Sequence, residues 1–292
     1  MTGRRITWRR IVRDGLVLLG VLAAVGYWWY LTSTGGDPVD VRAYWIADPS
    51  DLYHGALSGQ TTNAYLYSPA FEFVVGWWRW IPFDIFVAIW RAILLALLVW
   101  MAGPFTIFVL FTVPVASEIN AGNIQIMLAA AIVVGFRFPA SWSFVLLTKL
   151  TPGIGLVWFA IRRRWRDLAI AFGVTAAIVA VSFVLHPDRW SDYVALLTRG
   201  PSPGVAPYYL PLWVRLGPAV AFIVWGGVTS HRWPVVVGST LALPVFYTIS
   251  PAMLVGVLPF AREALGRWAD GRFPDSAMLG PATVPATGRD DA

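Results

Sequence analysis

The chain has 292 residues, 58% of them hydrophobic and 13% charged, with a mean hydropathy of +0.64. A soluble domain carries roughly 45–50% apolar and 25% charged residues, so a water-soluble globule is excluded and the apolar sequence belongs in a membrane. The absence of cysteine rules out disulfides and thiolate metal sites. The net charge of +6 is held in short basic clusters between apolar runs, the pattern of cytoplasmic membrane loops and not of a nucleic-acid surface.

In chain order, residues 1–14 are polar and strongly basic and read as a cytoplasmic N-terminus. The apolar run from Gly15 to Leu31 ends in Tyr27-Trp28-Trp29-Tyr30, an interfacial anchor, and is predicted to be a retained first membrane helix. Residues 33–67 form a polar outer loop with Asp37, Asp40, Asp48 and Asp51. Asp-Pro-x-Asp occurs twice, at Asp37–Asp40 and Asp48–Asp51. Each copy predicts the start of a short surface helix, with Asp as N-cap, Pro at N1 and the second Asp at N3.

Further apolar runs follow at 69–82, 84–101, 104–117, 121–136, 138–161, 168–185, 211–229, 234–249 and 251–264. Together they predict an all-α integral membrane bundle of about ten helices, at about 20 residues per crossing, some of them short or re-entrant. Alternate counting puts Arg162–Arg166, His231-Arg232 and Arg262–Arg272 inside, as the positive-inside rule requires. Residues 15–272 then form the transmembrane domain, with outer loops at 33–67 and 186–210 and both termini cytoplasmic. Residues 273–292, rich in Pro, Gly, Ala and Asp, are predicted to be a disordered tail. The same counting sets Asn120, Asn123 and Gln125 at the inner ends of their spans, away from the aspartate loop, unless these short helices re-enter.

Candidate functional residues are the polar groups that an apolar chain tolerates only for a reason. Lys149 is the one lysine and lies midway along an apolar run. A lysine at a helix centre costs roughly 2.5–3.5 kcal/mol on insertion scales, so it faces a cavity or a partner. It either contacts a phosphate or forms a buried pair with Glu118 or Glu72, and Thr151-Pro152 opens the helix beside it. Glu72 is either a second acid of a site or an ion-pair partner. Arg91 is expected to snorkel to the inner interface, and Arg215 stands near an outer helix end where it can meet a phosphate. Asn120, Asn123 and Gln125 are amides in or beside apolar sequence. His54, His186 and His231 are scattered, so no metal site is expected. No Gly-rich phosphate loop and no Asp-x-Asp clamp are present, so no nucleotide site is expected either.

Several segments together resemble glycosyltransferase family 87, polyprenyl-phosphate-mannose-type transferases of the GT-C fold class. Asp40-Val41-Arg42-Ala43-Tyr44 is similar to its Asp-x-x-x-Tyr segment after the first helix, and Asp51-Leu52-Tyr53 to a Leu-Tyr loop position. Tyr65-Leu66-Tyr67-Ser68-Pro69 is similar to its Tyr-x-Tyr-Pro-Pro element, and Gly122-Asn123-Ile124-Gln125 to Gly-Gln-x-Asn with the amides exchanged. Lys149-Leu150-Thr151-Pro152 with Arg162–Arg166 is similar to its Lys-x-x-Pro helix and basic loop. Ser250-Pro251 resembles a late Ser-Pro with no His following, and Pro207-Tyr208-Tyr209-Leu210-Pro211 with Arg215 stands where the family has a Ser-containing loop.

The resemblance implies a plasma-membrane hexosyltransferase, mannose favoured, that takes its sugar from a polyprenyl-phosphate carrier outside the membrane. Transfer to a lipid or glycan hydroxyl would be inverting and need no cofactor. Asp40 would be the base, with Asp37 as the alternative. Lys149 and Arg215 would attend the phosphate, and Tyr44, Tyr67, Glu72, Asn123 and Gln125 would bind substrate. Two other classes fit a charged membrane bundle: a transporter or flippase for a lipid-linked sugar, and a non-catalytic, degenerate GT-C-like scaffold.

Overall fold

The computed structural model describes residues 8–59, 63–198 and 210–272, and among them the regular structure is entirely helical. Helix α1 (Trp8–Thr34) has 27 residues. At 1.5 Å per residue it is about 40 Å long, enough to cross a hydrocarbon core of ~30 Å. Its start carries Arg10 and Arg13, and we call that side of the molecule the basic face. Its far end, the loop face, leads through Gly35 and Gly36, both at positive φ, into α2 (Val39–Ile46).

The loop departs from the expected double cap. α2 starts one residue late, with Pro38 as N-cap and no side-chain cap bond, so Asp37 stays outside and Asp40 sits in the first turn. In the second copy Asp48 accepts hydrogen bonds from the backbone N–H (2.8 Å) and hydroxyl (2.7 Å) of Ser50. That local turn competes with a helix start, and α3 (His54–Leu57) begins only at His54.

Run 69–82 is not a crossing. α4 (Pro69–Val75) rises only about 10 Å before a 3-10 turn over Gly76–Trp80. Both ends stay against α2. The Tyr44 and Tyr67 hydroxyls meet at 3.1 Å before it, and the Trp45 indole donates to the Ile81 carbonyl after it (3.1 Å). α5 (Phe83–Ala102) then runs back along α1, tied by the Trp28 indole to the Ala88 carbonyl at 2.8 Å. Arg91 therefore lies at the loop face and not at the inner interface. It donates to the carbonyls of Leu31, Gly35 and Asn120 and joins three chain segments there.

Gly103-Pro104 ends α5, and α6 (Thr106–Leu110) and α7 (Val113–Ala121) climb back beside α1. The Tyr27 hydroxyl donates to the Ala116 carbonyl at 3.1 Å, and the Asp37 N–H donates to Asn120 Oδ1 at 3.0 Å. Gly122, in the left-handed region at φ 72°, closes α7, where a side chain would run into Val41. α8 (Gln125–Gly135) leaves at 104° to α7.

Run 138–161 is a hairpin and not one crossing. α9 (Trp142–Thr148) rises to a tip at Lys149-Leu150, and the 3-10 turn Thr151–Leu156 with α10 (Val157–Ile161) descends. The ring of Trp142, at the start of one leg, sits edge-on to Phe159, at the end of the other, at 6.1 Å. α11 (Trp165–Leu185) returns to the loop face with only Ala171 and Ser182 buried, so its apolar sides face lipid. The expected loop 186–210 contains α12 (Pro187–Thr198), whose Tyr193 packs on Tyr53 at 5.8 Å. Pro207, Tyr208 and Tyr209 lie outside the described residues, as do most of the basic N-terminal segment's first half and the 273–292 tail. α13 (Leu212–Thr229), α14 (Trp233–Leu241), a 3-10 segment Ser250–Val257 and α15 (Leu258–Arg272) complete the bundle.

Among the described residues four helical stretches are long and apolar enough to cross a membrane: Arg10–Thr34, Phe83–Leu110, Trp165–Leu185 and Leu212–Thr229. The bent pair α7–α8 makes a fifth if it is one span. This corrects the expectation of about ten, because most other apolar runs are broken into helices too short for a crossing. Removing 69–82 and folding 138–161 into two legs are opposite changes. The Arg162–Arg166 cluster therefore stays on the basic face, where Arg164 donates to the Phe136 carbonyl at 3.2 Å and Phe136 meets Phe260 at 5.7 Å. The segment between those runs switches sides, which brings Asn123 and Gln125 to the loop face.

Candidate active site

A cavity of about 320 Å³ opens where α2, the α7–α8 break, the hairpin tip, α12 and the turn after α14 converge. Asp40, Tyr67, Asn123, Gln125, Lys149, Tyr193 and Tyr247 line it. All but Tyr193, which lies midway along α12, arrive from a helix end, turn or break.

The centre of the site is Asp40. Asn123 Nδ2 donates to Asp40 Oδ2 at 2.9 Å, and Asn123 Oδ1 accepts from the Ile124 N–H at 2.7 Å, which fixes the amide with its NH₂ toward the aspartate. Burial pushes the Asp40 carboxyl above the usual aspartate range, opposed by the Asn123 hydrogen bond and the charge of Lys149. Asp48 contrasts with it: exposed, it is held below that range by the hydrogen bonds from Ser50.

The ammonium of Lys149, half-buried at the hairpin tip, has no hydrogen bond or ion pair among the described residues, while its backbone N–H donates to the Val145 carbonyl. The carboxylates of Glu118 and Asp40 are the charges that act on it. Glu118 is fully buried and accepts from the N–H groups of Gln125 and Ile126, capping α8 from across the break. Its Oε2, Gln125 Oε1 and Thr151 Oγ1 are buried without a partner. Buried polar groups are nearly always paired, so these unpartnered atoms set the region apart, and Gln125 and Thr151 also line the cavity. The rim is apolar: Leu66, Leu150 and Leu197 line the cavity and are 57%, 65% and 60% exposed.

Other candidates are placed elsewhere. Asp37 is exposed and outside the cavity. Tyr44 is buried among Tyr67, Phe71 and Trp90, with its hydroxyl on Tyr67. Glu72 is held between Arg79 (2.9 Å) and Arg189 (3.2 Å), tying α4 to α12 and leaving no pair with Lys149. Arg215 donates to the carbonyls of Leu210, Leu241 and Leu243 and stacks over Phe246, fixing the turn that carries Pro244 and Tyr247 to the cavity. Sequence reasoning did not single out Glu118, Thr151, Tyr193 or Tyr247 as site residues. An acid four residues before a Gly-Asn break in an apolar run was the one available signal, for Glu118. Among the described residues no group of three or more His, Asp or Glu stands close enough to hold a metal ion.

Helices long and apolar enough to cross a membrane surround a polar cavity. Residues 65–279 match glycosyltransferase family 87, and the chain belongs to that family. The match begins after α2, so Asp40 stands ahead of it. The chain is 24% identical over 200 residues to the polyprenol-phosphate-mannose-dependent alpha-(1-2)-phosphatidylinositol pentamannoside mannosyltransferase of Mycolicibacterium smegmatis, covering 58% of this chain and 48% of that protein. The chain thus spans about half the length of the curated relative it matches. No solved structure gives a significant match.

Proposed function

We propose that the protein transfers a hexose, mannose favoured, from a polyprenyl-phosphate carrier to a lipid or glycan hydroxyl on the extracytoplasmic side of the plasma membrane, using a GT-C-type arrangement of short helices around an outward cavity. The observation that carries this reading is one carboxylate and one unpaired ammonium lining the same leucine-rimmed cavity. Such a transfer needs a base for the acceptor proton and a cation for the leaving phosphate. The acceptor oxygen attacks the anomeric carbon and its proton passes to Asp40. The bond from that carbon to the phosphate oxygen breaks, its electron pair leaves on the phosphate, and Lys149 steadies the growing charge. Attack opposite the leaving group inverts the centre. Asn123 holds Asp40, and Gln125 and Thr151 offer open groups to sugar hydroxyls. The sugar arrives activated, so the step calls on no cofactor. The polyprenol-phosphate-mannose dependence of the mycobacterial relative supports the donor class.

The test uses purified protein, radiolabelled polyprenyl-phosphate mannose and a membrane lipid extract. Asp40→Asn is expected to lose transfer by about 10²–10⁴-fold while still binding the donor, and Asp48→Asn to behave as wild type. An Asp40→Asn protein that keeps more than about a tenth of the rate, far short of base removal, would show that Asp40 is not the base. Transfer supported by a nucleotide sugar alone would overturn the donor assignment.

A further inference from the structure

The opposite end of the molecule holds a second, unrelated pair of cavities. At the basic face a pocket of about 680 Å³ lies between the start of α1, the end of α5 and α15, with Arg13, Trp100, Phe105 and Arg262 among its walls. A separate groove of about 450 Å³ lies next to it between α1 and α5, floored by Ala24, Ala92 and Ala96 and flanked by Trp28 and Leu95. The two share Trp100. One end is cationic and the other wholly apolar.

The cationic end is preorganised. Arg262 Nη1 donates to the carbonyls of Trp100 and Met101, both at 3.0 Å, at the open C-terminus of α5. The chain makes room for the guanidinium at Gly103, where φ is +55° and a Cβ would stand 2.8 Å from Arg262 Cζ. Its Nε and second Nη have no hydrogen bond among the described residues. Glu263 also lines the pocket but forms its ion pair with Arg267, and Asp14 pairs with Arg13, so neither carboxylate is bonded to Arg262. A fixed guanidinium with free donors is the preferred partner for a phosphate. The groove is the shape left when small residues face each other on two crossing helices, and it opens to lipid.

We infer that this is a binding site for a glycerophospholipid with an anionic headgroup. Its phosphate lies on Arg262, and one acyl chain fills the α1–α5 groove. Charge complementarity selects the headgroup, and an apolar groove that shares Trp100 with the pocket selects a lipid over a free anion. The site is independent of the transferase reading, since it lies at the other face.

Native mass spectrometry of the detergent-purified full chain, titrated with phosphatidylglycerol or phosphatidylcholine, tests this. Wild type is expected to retain phosphatidylglycerol preferentially. Arg262→Gln should cut that preference about fivefold, the weight of one basic residue at an anionic lipid surface. Ala96→Phe fills the groove with Arg262 intact and should weaken both lipids. It also serves if Arg262→Gln proves unstable. Arg267→Gln should leave retention unchanged. Equal retention of the two lipids, or no loss in Ala96→Phe, would overturn the proposal. So would inorganic phosphate displacing phosphatidylglycerol at equal concentration, which marks a bare anion site. A delipidated protein that dimerises through the groove would assign that face to a second copy instead.

Discussion

At the scale of single residues, the proposed reaction requires Asp40 to be ionised in a half-buried place. Burial raises its pKa, and the Asn123 amide and the Lys149 charge oppose that rise. Removing either opposing group must raise the pKa further, because each favours the charged form. Asn123→Ala and Lys149→Met are therefore both expected to move the acid limb of the kcat/KM profile to higher pH, since a base works only when ionised. The two then part. Asn123→Ala should still bind the lipid donor, whereas Lys149→Met should lose it, and both proteins should remain monodisperse. An unmoved acid limb in Asn123→Ala would mean that another group sets it. A Lys149→Met protein that binds donor normally would remove the lysine from the phosphate.

Elements carry the next lesson. The Glu72 carboxylate lies between Arg79 and Arg189, nine-tenths buried, and joins α4 to α12. Breaking a buried pair by removing one partner typically costs about 3–5 kcal/mol, because the other charge stays uncompensated. Glu72→Gln is expected to lower the melting temperature and to recover transfer on cooling. Loss of transfer at every temperature with unchanged stability would make Glu72 a substrate ligand after all. Much of this was legible beforehand. Lys149, Asn123 and Gln125 were conspicuous as polar groups in or beside apolar sequence, Asp40 was singled out among four loop aspartates by the family resemblance, and the structure lines one cavity with all four. What hydropathy could not reveal was direction. Trp77-Trp78-Arg79-Trp80 scores as part of a crossing, yet it forms a 3-10 turn that keeps 69–82 on the loop face. Lys149-Leu150-Thr151-Pro152 reads as an opened helix, yet it is a reversal. The first changes the side on which Asn123 falls and the second returns Arg162–Arg166 to the basic face, and no count of apolar residues contains that information. The roles of Glu118 and Arg215 were hidden for another reason: their partners are backbone groups on distant segments, which leave no mark in composition.

For the whole molecule, the described start of α1 and α15 share the basic face, with Arg262 bonded to the end of α5 and Arg13 in the same pocket. Ser58, at the end of α3, and Ser230, after α13, are both exposed and lie at opposite faces. The chain has no cysteine, so single cysteines report without background. By the positive-inside rule, an impermeant maleimide applied to intact cells is expected to label Ser58→Cys and spare Ser230→Cys. The reverse pattern would turn the molecule over and put the cavity in the cytoplasm.

The leucine rim of the cavity bears on how substrate reaches it. With Leu66, Leu150 and Leu197 exposed around the mouth, an amphiphile can slide its polar end onto Lys149 while its tail never leaves the bilayer. The encounter is then confined to two dimensions, and the quantity that sets its rate is the mole fraction of carrier in the membrane, not its amount per volume of solution. Adding inert detergent or lipid at constant carrier would slow transfer by surface dilution alone, with protein, carrier and bulk concentration all unchanged.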